Sequence, residues 1–472
     1  MPVLPRAGAA ALSINQSSQG TPSMKLDSSF ASKRLLLCVT IFVFACGALA
    51  ASQKYTSLYH FQGSPDGSAP IACLIADKVG NLYGATYSGG TGTTFCSGGC
   101  GTVFELRRSE KQGGPWTETV LYSFTGNPDG YWPSAGTLVF DKVGNLYGTT
   151  QFGGSAGFGY GTIYRLAPPA EHGGSWTETI LYNFTGGDDG GVPANGLVAD
   201  AAGNLYGTTN DDGQYGFQKG AGTAFRLAPP VVNGGPWTET TLFSFQQIRD
   251  GNEPNELTLD AKGNLYGTRS ADTILCTPSN PQDCGMAFEL KPEGSSWRMK
   301  ILHQFTGADD GSDPFSGMIF DKQGNLYGTT IGFGGNTITG GTAFELTPPA
   351  NGIGPWTETL LYRFSGGADG GAPLADLVFD PAGNLYSTTY YGGNLSCNSG
   401  LGCGTVFELA PPSVHGLPWT ETVLHTFGTG SDGQNPGEGL INSRGILYGS
   451  TAGGGGSSSC NGGCGTVFGV VP

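Results

Sequence analysis

The pentapeptide Gly-Asn-Leu-Tyr-Gly, or a one-letter variant of it, recurs seven times, starting at Gly80, Gly144, Gly203, Gly263, Gly324, Gly383 and Gly445. A period of about 60 residues makes the chain one small unit copied seven times, each copy burying its apolar face against its neighbours. The complete unit is read from Gly136 onward as four short phrases: 137–140, 145–150, 161–166 and 176–184. All four are rich in β-branched and aromatic residues and are bounded by Gly, Pro, Asp and Asn, the pattern of strands and turns. Seven four-stranded units without helical periodicity predict an all-β fold, a seven-bladed β-propeller in which radial repetition protects the sheet edges.

The phase of the repeat predicts how the ring closes. The chain enters the repeats with Tyr55–Phe61, which matches the Trp-Thr-Glu-Thr phrase but has no preceding partner, and leaves with Gly465–Val471, which lacks a following one. Trp116, Trp176, Trp237, Trp297, Trp356 and Trp419 mark six outer strands, and Tyr55 takes the seventh place. The N-terminal strand is therefore expected to complete the last blade.

Glycine accounts for 83 of 472 residues, yet the 11% aromatic content at fixed places in the repeat argues for a packed core and against disorder. The formal net charge is −15, and residues 1–50 hold four basic residues against one acidic, so the repeats are more acidic than the whole chain. Nucleic acid is excluded as a partner for such a surface. From Met24, Lys33-Arg34, the apolar run Leu35–Ala45 and Ala48-Leu49-Ala50 read as a secretory signal over 24–50, with 1–23 a disordered extension or a start assigned too early. Residues 51–472 are then one exported propeller, read as a monomer that is secreted, periplasmic or on the cell surface. Membrane attachment would need an uncleaved signal or a lipid on Cys46, in a box that Phe44 makes poor.

Cysteine usage fits an oxidising compartment. Eight Cys form local pairs at one place in the repeat, Cys96/Cys100, Cys276/Cys284, Cys397/Cys403 and Cys460/Cys464, each second Cys directly preceding the Gly that opens the third strand. Four disulfides closing hairpin tips are expected, and Cys73 is left as a buried thiol. Zinc is the competing reading, but the pairs fall in different blades with no His nearby.

Function is expected on the rim that carries the Asp-Gly loops, the Gly-Gly loops and the disulfides. Asp66, Asp129, Asp189, Asp250, Asp310, Asp369 and Asp432 each precede a Gly in the loop entering a blade. Turn chemistry explains them, with a calcium-binding ring as the alternative; no other cofactor or metal site is legible. A second Asp, at Asp77, Asp141, Asp200, Asp260, Asp321 and Asp380, with Asn442 in the last copy, is spaced to cap the turn before Gly-Asn-Leu-Tyr. The rim aromatics vary between blades: Tyr131, Trp132, Phe152, Tyr160, Tyr215, Phe315, Phe333, Tyr390 and Tyr391. Rings beside carboxylates suit stacking on sugars or a protein partner, and Trp132, Tyr131, Tyr160, Phe315 and Tyr391 with Asp129, Asp189, Asp310 and Asp369 form the candidate ligand-binding set. The five His are spread over four copies and assemble no triad, so no catalytic residue is assigned. The enzymatic alternative is a carbohydrate-active hydrolase or lyase using rim carboxylates.

The phrases Asp-Gly, Asp-x-x-Gly-Asn-Leu-Tyr-Gly-Thr-Thr, Gly-Gly, Gly-Thr-Val-Phe-Glu-Leu and Trp-Thr-Glu-Thr together resemble the GloVer tandem repeat of bacterial "choice-of-anchor" exported proteins, over Tyr55–Val471. The resemblance implies a secreted or surface repeat protein and assigns no activity to individual residues. Asp-x-x-Gly-Asn-Leu-Tyr is also similar to the phrase of NHL-type propellers, which implies the same strand order.

Overall fold

Each Leu-Tyr-Gly-Thr-Thr phrase forms the buried second strand of a sheet, as at Leu146–Phe152, Leu205–Thr209 and Leu326–Thr330. It pairs antiparallel with the third strand, so that Tyr147 lies opposite Arg165 and Thr150 opposite Thr162. An outer Trp-Thr-Glu-Thr strand and an innermost strand of two or three residues complete the sheet, in the order innermost, second, third, outer. The computed structural model describes residues 54–472 except 93–95, 110, 112, 155–158, 172–173, 212–219, 233, 247–252, 271–275, 277–283, 333–339, 415–416 and 429. The expected signal over 24–50, Asp250, Tyr215 and Phe333 thus lie outside the described residues. Seven such sheets form the blades of an all-β propeller. In the seventh the outer strand comes from the other end of the chain: Lys54–His60 lies antiparallel to Thr466–Val471, with Tyr55 opposite Val470.

The core lies between blades. The Phe that follows each outer strand packs edge-on against an aromatic of the next blade's third strand, as in Phe61–Phe104, Phe124–Tyr164, Phe305–Phe344 and Phe427–Phe468, all with centroids 5.1 Å apart. Every one of these rings is fully buried. Each buried Phe contributes about 1.5–3 kcal/mol, and the edge-on pairing about 0.5–1.5 kcal/mol more.

A second seam joins the blades nearer the axis, where the Gly that opens a third strand lies under the Pro of the next blade. A Cβ on Gly465 would stand 2.5 Å from Cδ of Pro70, and one on Gly101 2.5 Å from Cδ of Pro133. The residue before that Pro donates its N–H backwards, Ala69 to the Cys464 carbonyl at 2.9 Å and Trp132 to that of Cys100 at 3.0 Å. To do so Ala69, Trp132, Val192, Asp313, Ala372 and Asn435 all take left-handed backbone, with φ between 51° and 57°. That conformation costs about 1–2 kcal/mol per residue, and the following Pro, which disfavours the ordinary helical region, helps to select it. The four disulfides Cys96–Cys100, Cys276–Cys284, Cys397–Cys403 and Cys460–Cys464 are formed. They sit at this seam: the carbonyl of each second Cys accepts the next blade's N–H, as Cys284 does from Asp313 and Cys403 from Asn435, and Tyr160 and Gly340 accept the same bond from Val192 and Ala372 in blades without a disulfide.

Candidate functional site

The two Asp series have different partners. Asp141 is a turn cap: its Oδ1 accepts the N–H groups of Val143 and Asn145, each at 2.9 Å, and its Oδ2 accepts the Asn145 amide and the Tyr147 hydroxyl at 3.1 Å. Burial alone would raise its pKa, but these donors hold it below the usual carboxylate range. The Asp-Gly carboxylates of the rim are also engaged inside their own loops. Asp129 accepts the Tyr122 hydroxyl at 2.8 Å, the Thr125 N–H at 3.0 Å and the Thr125 hydroxyl at 2.8 Å. Asp189 and Asp369 repeat the set with Tyr182 and Tyr362. Asp310 substitutes His303 for the Tyr, at 3.2 Å. These side chains therefore staple an outer strand to the loop that follows it.

The rim aromatics divide. Tyr160 immediately precedes Gly161, the place that the second Cys holds in four other blades, and a Cβ on Gly186 would lie 2.3 Å from its ring. In the disulfide blades, Gly63 and Gly307 face the sulfurs in the same way. Tyr160 thus fills a disulfide's position under its own loop. Phe315 is 47% exposed. Tyr391 packs edge-on against Tyr390, centroids 4.9 Å apart. Between the first two blades, by contrast, Tyr131 and Trp132 meet Phe152 and a residue that sequence reasoning missed, Tyr87. Trp132 stacks on Tyr87 at 5.0 Å, Tyr131 stacks on Phe152 at 5.6 Å, and Trp132 stands edge-on to both Tyr131 and Phe152 at 5.3 and 5.5 Å. All four rings are partly exposed. The left-handed backbone at Trp132 is what seats its indole on the preceding blade.

One level inward, four acidic groups gather that the sequence did not join. Cys73, Glu256, Asp376 and Glu438 come from the first, fourth, sixth and seventh blades, in the segments just before the innermost strands. The Cys73 thiol lies 3.9 Å from Oε2 of Glu438. Glycine in the third, fifth and seventh blades makes room: a Cβ on Gly196 would meet Oε1 of Glu256 at 2.5 Å, one on Gly317 would meet both Asp376 oxygens at 3.2 Å, and one on Gly439 would meet the Cys73 sulfur at 3.3 Å. Enclosure by protein, then Asp376, pushes Glu256 up to about 8 against the donors of Thr137. Burial raises Asp376 to about 6, and burial with the neighbouring acids drives Glu438 and the Cys73 thiol well up. Protonated neutral acids are what such a cluster holds most readily. Among the described residues no three His, Cys, Asp or Glu are gathered as a metal site requires. Aligning the copies on Leu197, Leu257, Met318, Leu377 and Leu440 would have revealed the cluster, since the residue before each alternates between Gly (Gly196, Gly317, Gly439) and an acid (Glu256, Asp376).

The Gloeobacter/Verrucomicrobia repeat model matches residues 40–277 and again 274–472. The chain belongs to that repeat family. No curated protein matches its sequence. Among solved structures it is similar to a luciferin-regenerating enzyme, at 14% identity and TM-score 0.42, covering 74% of this chain and 92% of that one. A gluconolactonase from Xanthomonas campestris is similar at 14% identity and TM-score 0.35, covering 71% and 86%. So is a calcium structure of a family AA12 carbohydrate-active enzyme from Trichoderma reesei, at 13% identity and TM-score 0.41, covering 89% and 96%. Four disulfides suggest that this repeat protein resides in an oxidising, extracellular environment.

Proposed function

We propose that this is an exported, non-enzymatic propeller that binds a polysaccharide through the rim patch of Tyr87, Tyr131, Trp132 and Phe152. The observation that carries this reading is the joining of four partly exposed rings from two blades into one surface, which offers flat apolar faces of the kind that stack on sugar rings. The secretory segment and the disulfides support export. Rim carboxylates occupied by donors of their own loops favour binding over acid–base chemistry.

Trp132→Ala tests the site without disturbing the fold, because Ala69 and Ala372 hold the same left-handed position in other blades. On a polysaccharide array the wild type is retained, and the variant loses on the order of tenfold in affinity, the usual cost of truncating an aromatic anchor. Unchanged retention overturns the site assignment. Sugar released into the supernatant would instead establish a carbohydrate-active hydrolase or lyase, and binding only to proteins would replace the glycan by a protein partner.

A further inference from the structure

The glutamates of the Trp-Thr-Glu-Thr phrase do not lie idle on the surface. Glu118, Glu178, Glu239, Glu358 and Glu421 each face the Asp of the loop leading in from the preceding blade, namely Asp66, Asp129, Asp189, Asp310 and Asp369. Two carboxyl groups therefore act electrostatically on one another at each of these blade junctions, and the donors are shared unequally. Asp129 receives three hydrogen bonds from Tyr122 and Thr125. Its neighbour Glu178 has Oε1 buried with no hydrogen-bond partner in the protein, and the same is true of Glu118, Glu358 and Glu421. A carboxylate oxygen without donors, out of water and beside a second carboxylate, is costly, whereas a neutral acid is not. The proton belongs on the Glu.

We propose that these glutamates are protonated structural elements, so that protons hold successive blades together and the ring loosens as the medium turns alkaline. The groups that face them sharpen this reading. Glu178 is faced by Asp129, Tyr122 and the fully buried Tyr164; Glu118 by Asp66 and Tyr59; Glu239 by Asp189, Tyr182 and the Thr241 hydroxyl; Glu421 by Asp369 and Tyr362. None of these is a cation. Glu358 alone also faces a base, His303, which opposes its rise. Burial first, then the paired Asp, pushes Glu118, Glu178, Glu239 and Glu421 up to about 7. In the unfolded chain a glutamate titrates near about 4.3. Between these values the folded state binds the extra protons, so stability is greatest below the lower one and falls as pH rises through the higher.

Thermal unfolding of the full chain in chelator-containing buffer tests the proposal. The midpoint is expected to fall between about pH 5 and about pH 8. Glu178→Gln, which mimics the neutral acid, should raise the midpoint at the alkaline end by about 2 °C or more and leave it unchanged at the acidic end. The infrared carbonyl band of protonated carboxyl groups should persist at about pH 6 in the wild type and weaken in the variant. A midpoint that is flat or rises over this range overturns the proposal, as does an equal loss of stability by Glu178→Gln at both ends. Restoration of the alkaline midpoint by calcium would show the pairs to be cation sites and would overturn it as well.

Discussion

Phe61 stands on the strand that joins the two ends of the chain, and replacing it tests whether that strand holds the ring shut. Its ring is 0% exposed and meets Phe104 of the first blade and Tyr59 of its own strand, both edge-on at centroid distances of 5.1 Å. Phe61→Ala removes a fully buried ring and leaves a cavity among side chains fixed by their strands, at a cost of about 3–5 kcal/mol. For the unit running from Ala50 to Pro472, about 2.1 cal/mol/K per residue gives an unfolding entropy of roughly 0.9 kcal/mol/K, so the midpoint should fall by about 3–6 °C. Phe305→Ala is the matched control, since Phe305 makes the same 5.1 Å edge-on contact to Phe344 at a junction carried by continuous chain. Calorimetry of both variants should show similar losses. Limited proteolysis should additionally cut near the N-terminal strand in Phe61→Ala alone, because only there does unpacking free a chain end. A Phe61→Ala midpoint equal to wild type beside a lowered Phe305→Ala midpoint would refute the argument that Lys54–His60 latches the ring.

Gly465→Ala forces a Cβ to 2.3 Å from the Thr451 carbonyl and 2.5 Å from Pro70 at a φ of +92°, and should destabilise by more than about 3 kcal/mol; Gly263→Ala, with nothing within 4 Å, should cost only the backbone strain of about 1–2 kcal/mol. Asp380→Ala removes an acceptor from Ala382, Asn384 and Tyr386 and should cost about 2–3 kcal/mol near neutral pH. Although burial opposes it, the Asp380 pKa is lowered by those donors; its contribution is present above the unfolded value of about 3.9 and is lost as pH falls through the folded one, so wild type and variant should converge in acid melts. Glu256→Gln on the axis should raise the midpoint above about pH 8, where the raised Glu256 would otherwise ionise beside Asp376, and change little near pH 5; a loss at both would show that the cluster needs its charge.

Much of the molecule was legible because the repeat speaks seven times. Asp141, Asn145 and Tyr147 lie within six residues of one another, so turn cap and strand can be read locally, and the Cys pairs announce themselves by falling at one place in the period. Tyr160 was read only as a rim ring, because in sequence a tyrosine before Gly161 gives no sign of standing where a disulfide stands in other blades. The axial acids escaped for a related reason: Glu256 and Asp376 are 120 residues apart, and each looks like an isolated departure from an unremarkable position.

By itself the sequence determined the strands, their turns, the number of blades and the pairing of the cysteines, since each depends on contacts within one copy or on the phase between copies. Only the tertiary structure decided which side chains share a junction. Closing the ring brings the same place in different blades onto one axis and sets each outer strand against the next blade's entering loop. That is what joins Tyr87 to Trp132, Cys73 to Glu438 and Glu178 to Asp129, pairs whose chemistry arises from proximity that no spacing along the chain records.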